Sequence, residues 1–104
     1  MHTIQLKKFG TVLISRPAGL EAFNAIRPEL SPDTSIEIDF DHVLTVTPSW
    51  LDEFLTQLTN YNQGKVELLP TKNASVLAAL PILAAARKDF VSDVVQRALQ
   101  QRLG

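Results

Sequence analysis

DFDHVLTVTPSWLDEFL, residues Asp39–Leu55, is the stretch on which the fold turns. Just upstream, Ile36, Ile38 and Phe40 alternate with Glu37 and Asp39, the period-two pattern of a half-buried strand. Val43, Leu44 and Val46 carry the apolar content on toward Pro48. From Ser49 the period changes. Trp50, Leu51, Phe54, Leu55 and Leu58 fall on one helical face, and Asp52, Glu53, Gln57 and Asn60 on the other. A strand that turns through Thr47-Pro48-Ser49 into an amphipathic helix is the first half of a crossover between parallel strands.

Working outward toward the N-terminus, Ile4–Leu6 reads as a short edge strand that Gly10 breaks. Thr11–Arg16 is a β-branched run that predicts a second strand. Pro17 suits the first turn of a helix, and Leu20, Phe23, Ile26 and Leu30 recur near helical spacing. Pro28 should end or kink that helix, and Ser31-Pro32-Asp33 is a turn cluster.

Toward the C-terminus, Asn62-Gln63-Gly64 stops the central helix, with Gly64 the natural left-handed residue. Lys65–Pro70 predicts the next strand. Val76, Leu77, Leu80, Leu83 and Ala84 look helical, with Pro81 kinking that segment or starting a new helix. In residues 88–104, Phe90, Val91, Val94, Val95, Ala98, Leu99 and Leu103 line one side of an amphipathic helix ending at Gly104. Either it continues the preceding helix or a brief strand at Phe90–Val91 separates the two. Its apolar face predicts docking on the same chain, burying Val94, Val95 and Leu99, with a weak homodimer contact as the alternative. The order β-β-α-β-α-β-α-α predicts an α/β fold: a small mixed, mostly parallel sheet of about four strands covered by helices. The 104 residues are expected to form one domain.

Composition narrows the function classes. Hydrophobic residues at 45% and charged residues at 20% are ordinary for a folded globule. A net charge of −1 with no block of like charge gives no electrostatic footprint for nucleic acid or an anionic membrane. Absence of cysteine removes disulfides, thiolate metal sites and cysteine nucleophiles, and fits a cytoplasmic location. MHTIQLKKFG has no apolar run of a secretory signal, and Ala74–Ala86 is too short to span a bilayer.

Chemistry-bearing residues are sparse. Asp39, Asp41 and His42 cluster at a strand end, where loop solvation competes with a divalent-metal reading. No second pair of spaced ligands supports the metal. Ser15, Ser49 and His42 form no recognisable nucleophilic motif, and the four scattered glycines build no phosphate loop. No catalytic residue and no cofactor is expected. Arg16 reads as a solvated cation, with an ion pair to Asp39 as the alternative.

The elements Asp39-Phe40, Val43, Ser49-Trp50 and Glu53 together resemble the STAS-like bacterial domain family of unknown function, related to STAS and anti-sigma-factor antagonist domains. The likeness runs from Gly10 to Ala86 and includes KVELLP and the helix start at Asn73-Ala74-Ser75-Val76. The resemblance implies a STAS-like fold and a non-enzymatic regulatory module acting by protein–protein binding. Its partner would be a histidine-kinase-like ATPase or a transcription-linked regulator. It implies an interaction surface of Thr47, Pro48, Ser49, Trp50, Asp52 and Glu53, with Ser49 at the position that is phosphorylated in the antagonist branch. That branch carries Asp-Ser-Ser-Gly where this chain has Thr47-Pro48-Ser49-Trp50, and a glycine where it has His42. Read from the residues alone, Ser49 is first the N-cap of its helix, three residues ahead of Asp52, and only second a phosphoacceptor. A small-ligand sensor at the carboxyl ends of the strands and an assembly subunit using the last helix are the other readings.

Overall fold

The computed structural model describes residues 2–86 and 89–103. The fold is α/β, with five short strands in two parallel sheets and four α-helices. The elements are β1 (His2–Gln5), β2 (Val12–Leu13), α1 (Arg16–Ile26), β3 (Ile36–Asp39), β4 (Thr45–Val46), α2 (Pro48–Asn62), β5 (Val66–Leu68), α3 (Ala74–Ala86) and α4 (Phe90–Leu103). A 3-10 turn at Leu6–Phe9 links β1 to β2, and another at Arg27–Glu29, built on Pro28, follows α1.

The larger sheet has the order β1-β3-β5, every pair parallel. Ile4 lies opposite Ile38, and Ile38 opposite Leu68. Parallel neighbours need long crossovers, and α1 and α2 supply them. Ile4, Ile36, Ile38, Val66 and Leu68 are buried on one face. The alternate positions carry polar pairs on the other: Thr3 Oγ1 donates to Glu37 Oε1 at 3.1 Å, and Gln101 Nε2 to Glu67 Oε1 at 3.0 Å. The smaller sheet is the parallel pair β2–β4, with Val12 opposite Thr45 and Leu13 opposite Val46.

β2 is shorter than the run Thr11–Arg16 suggests, and the chain leaves extended structure before Arg16. Ser15 stands at φ 77°, and its Oγ accepts from the Ala18 amide at 3.3 Å, so it caps α1 with Pro17 in the first turn. The buried stripe of α1 is Gly19, Ala22, Phe23 and Ile26, while Leu20 is partly exposed. Gly19 is required by packing. A Cβ there would lie 2.5 Å from the Trp50 carbonyl oxygen, so α1 crosses α2 closer than any side chain allows.

α2 buries Trp50, Leu51, Phe54, Leu55 and Leu58, as its periodicity predicts. Trp50 stacks on Phe54 with centroids 4.9 Å apart, and Phe9 tilts against Phe54 at 5.8 Å. The helix ends at Asn62. Gln63 and Gly64 then take positive φ, at 58° and 81°. Asn62 is buried and donates from Nδ2 to the carbonyls of Lys65 at 2.8 Å and Thr34 at 3.3 Å, pinning the end of α2 beside the starts of β3 and β5.

α3 is a single helix, so no new helix starts at Pro81. Pro81 lies on the exposed side, where water can take the carbonyl its missing amide leaves unpaired. α4 is a separate helix, and no strand precedes it at Phe90–Val91. Asp89 caps it: Oδ1 accepts from the Val91 amide at 3.1 Å, and the Asp89 amide donates to Ser92 Oγ at 3.1 Å. Val91, Val94, Val95 and Ala98 are buried and Leu99 packs against the same core, so the apolar face of α4 docks on its own chain. Lys88, Gly104 and the side chain of Leu103 lie outside the described residues. Among the described residues no helix is long and apolar enough to cross a membrane.

Candidate functional site

The corner between β4 and α2 is built by Thr47 and not by Ser49. Thr47 has extended backbone, and its Oγ1 accepts from the Trp50 amide at 3.3 Å. Pro48 is the first helical residue, where its fixed φ fits and its missing amide costs nothing. The expectation that Ser49 caps α2 is therefore corrected. The helix begins one residue before Ser49, and Ser49 lies inside its first turn. Its side chain is exposed and makes no hydrogen bond among the described residues.

Trp50 also departs from the expected interaction surface. It is 1% exposed and forms part of the aromatic cluster with Phe9 and Phe54. An indole is the largest apolar group available here, and the first inward position of α2 draws it into the core. Thr47, Pro48, Asp52 and Glu53 are half-buried at the surface.

Asp52 and Glu53 are held by Arg16 from the start of α1. Arg16 donates from an Nη atom to Asp52 Oδ2 at 2.8 Å and stands 3.5 Å from Glu53 Oε1. The hydrogen bond to Asp52 raises the guanidinium above its ordinary value, with its pairing to Glu53 adding to this. The alternative pairing of Arg16 with Asp39 does not occur. Asp39 Oδ1 instead accepts from the Asp41 amide at 2.9 Å, closing a turn that carries His42 at φ 70°. Among the described residues no three His, Cys, Asp or Glu side chains are placed to hold a metal ion.

Two features of this region were missed in the sequence reading. The first is an apolar groove of about 270 Å³ beside the corner, between β2 and α1, with Phe9, Val12, Ile14, Ala18 and Glu21 among its walls and Trp50 at its floor. Val12 is 55% exposed and Ile14 51%, on either side of the buried Leu13. The alternation was present in TVLISR, but a β-branched run reads as a strand without saying which side is wet.

The second is the unequal treatment of the two edges of the small sheet. Leu44 and Thr45 donate to the Thr11 carbonyl at 2.8 and 3.1 Å, and Thr47 to that of Leu13 at 3.0 Å, which joins β4 to β2. On the far side of β4, the Val46 amide donates to Ser75 Oγ at 3.0 Å. Asn73 Nδ2 donates to the Val43 and Leu44 carbonyls at 2.7 and 3.2 Å. The start of α3 thus closes that edge with side chains. Among the described residues the outer edge of β2 pairs with no strand.

No protein-family model, curated protein or solved structure matches this chain.

Proposed function

We propose that the protein is a non-enzymatic regulatory module that binds a protein partner through the surface formed by the β4–α2 corner and the neighbouring β2 edge. The observation that carries this reading is the open edge of β2, with Val12 and Ile14 exposed beside an unengaged Ser49. An unpaired strand edge offers backbone donors and acceptors to an incoming segment, and an apolar groove alongside offers it burial. By its resemblance to anti-sigma-factor antagonists, the partner is a histidine-kinase-like ATPase of the bacterial cytoplasm, or a regulator linked to transcription. Ser49 is the phosphoacceptor that gates docking.

Three local facts support the gate. Thr47 carries the capping bond, so Ser49 has no structural duty to lose. Arg16 pairs with Asp52 and Glu53, offsetting the two carboxylates that would repel a phosphate on the first turn of α2. His42 takes left-handed backbone at the position where the resemblance has a glycine, a conformation that glycine adopts without strain.

The test is affinity capture from the native lysate with ATP present, followed by intact-mass measurement of the bait. Wild type and Ser49→Ala are run side by side. The expected result is one enriched ATPase-class partner and a single phosphate mass shift on wild type only. A partner held equally by both baits with no mass shift removes the gate and leaves the docking surface. Absence of a partner on both baits overturns the reading.

A further inference from the structure

Beyond the docking surface, a second site lies at the carboxyl ends of β3 and β5. The chain leaves β5 through Leu69, Pro70 and Thr71 and returns as α3, while the end of α4 passes in front. Between them is a cavity of about 180 Å³. Phe40, Leu68, Val76, Leu80 and Ala98 form apolar walls, and among the described residues no charged side chain lines it. Parallel α/β folds receive ligands at this end of the sheet, where strands stop and side chains from several elements converge. The cavity shares no residue with the Thr47–Glu53 corner.

Volume and chemistry restrict the occupant. An engineered apolar cavity of about 150 Å³ stays dry and holds benzene, so a space of this size takes one six-membered ring with a small substituent. An ion would be desolvated against these apolar walls, and no described lining residue carries a charge to pair it. Two polar side chains, Gln101 and Thr71, stand at the lining. Gln101 donates its amide Nε2 to Glu67 Oε1, which fixes the side chain and leaves its carbonyl oxygen to accept. Thr71 Oγ1 already accepts from the Asn73 amide at 3.1 Å. We infer that this cavity is a binding site for a small uncharged aromatic molecule bearing one hydrogen-bond donor, its ring among Phe40, Leu80 and Ala98 and its donor on Gln101.

Phenol and toluene are the probes, since they share a ring and differ in the donor. The full chain, uniformly labelled with nitrogen-15, is titrated with each while amide resonances are followed. Saturable shifts are expected at Leu68, Val76, Leu80 and Ala98, with phenol binding about fivefold tighter than toluene, the worth of one hydrogen bond. Ala98→Leu fills the space and should weaken both probes at least tenfold while the amide spectrum elsewhere stays folded. Gln101→Leu, on the exposed rim, should keep toluene binding and erase the preference for phenol. Linear, unsaturable shifts with both probes on folded wild type would overturn the site. Phenol binding to Ala98→Leu as tight as to wild type would place the ligand elsewhere and overturn it equally.

Discussion

The two strands of the small sheet are paired to each other and finished in opposite ways. β4 is closed on its far side by Asn73 and Ser75, which reach from the start of α3 to its backbone. Among the described residues β2 has no such cover, and Val12 and Ile14, on either side of its buried Leu13, are half exposed. Native sheets blunt an exposed edge with charge, proline or a covering element. β2 carries none of these in Val12-Leu13-Ile14, although β4 next to it is covered by side-chain hydrogen bonds. This difference within one two-stranded sheet is what the proposed docking surface rests on.

The first way to break the comparison is to ask whether Trp50, which forms the floor of the groove by the open edge, belongs to the surface or to the core. Trp50→Ala should cost about 3–5 kcal/mol of stability, the usual range for a fully buried aromatic. Its stack on Phe54 and contact with Phe9 are lost together. Because Trp50 is the sole tryptophan, the measurement is urea denaturation followed by far-ultraviolet circular dichroism. A cost under 1 kcal/mol would mean the indole contributes little to the core, and the surface would have to be redrawn to include it.

The closed edge gives the next largest effect. Asn73 Oδ1 accepts from the Ser75 and Val76 amides at 2.9 and 3.2 Å, and its Nδ2 bonds the carbonyls of Val43 and Leu44. Asn73→Ala removes a helix cap and a tether at once, and should cost about 2–3 kcal/mol. Ser75→Ala leaves the Val46 amide without its acceptor and should cost about 1 kcal/mol. Wild-type stability in both would show that the closure of β4 is incidental, and the contrast with β2 would lose its meaning.

Thr47 and Ser49 sharpen the comparison at the corner itself. Thr47→Ala should cost about 1 kcal/mol, as loss of an N-cap does, while Ser49→Ala should stay within about 0.5 kcal/mol of wild type. The pair is read by thermal or urea unfolding. The opposite order would return the cap to Ser49.

How much of this was legible depended on the kind of signal. The central strand and α2 were readable because Ile36, Ile38 and Phe40, then Trp50, Leu51, Phe54, Leu55 and Leu58, obey periods that only one backbone geometry satisfies. The cap was misplaced by two residues because Thr47 and Ser49 are equally good capping types. Pro48 between them is what decides, by its preference for the first helical position. Arg16 read as a solvated cation, with Asp39 as an alternative partner, because no local pattern shows that the crossing of α1 on α2 at Gly19 sets it against Asp52 and Glu53. Asn73 and Ser75 looked like an ordinary helix start. Their second role, closing β4 from about thirty residues away in the chain, is a tertiary contact that no local pattern encodes.

Arg16 and Ile14 separate stability from binding with the smallest effects on the fold. Arg16 is half exposed, so its pairing with Asp52 and Glu53 is screened by water, and Arg16→Gln should cost about 0.5 kcal/mol or less. Ile14→Thr keeps a β-branched shape while placing a hydroxyl on a side chain already in solvent, so unfolding should again move by less than about 0.5 kcal/mol. On partner capture the two should diverge. Ile14→Thr removes apolar area from the open edge and should lower recovery of the partner several-fold. Arg16→Gln should leave docking of the unmodified protein intact and lower only the phosphate added at Ser49, because the charge of Arg16 then no longer offsets the carboxylates of Asp52 and Glu53 on the first turn of α2. Equal loss of recovery in both variants would merge the edge and the corner into a single contact. Full recovery with Ile14→Thr would detach the β2 edge from the docking surface and leave the corner alone to carry it.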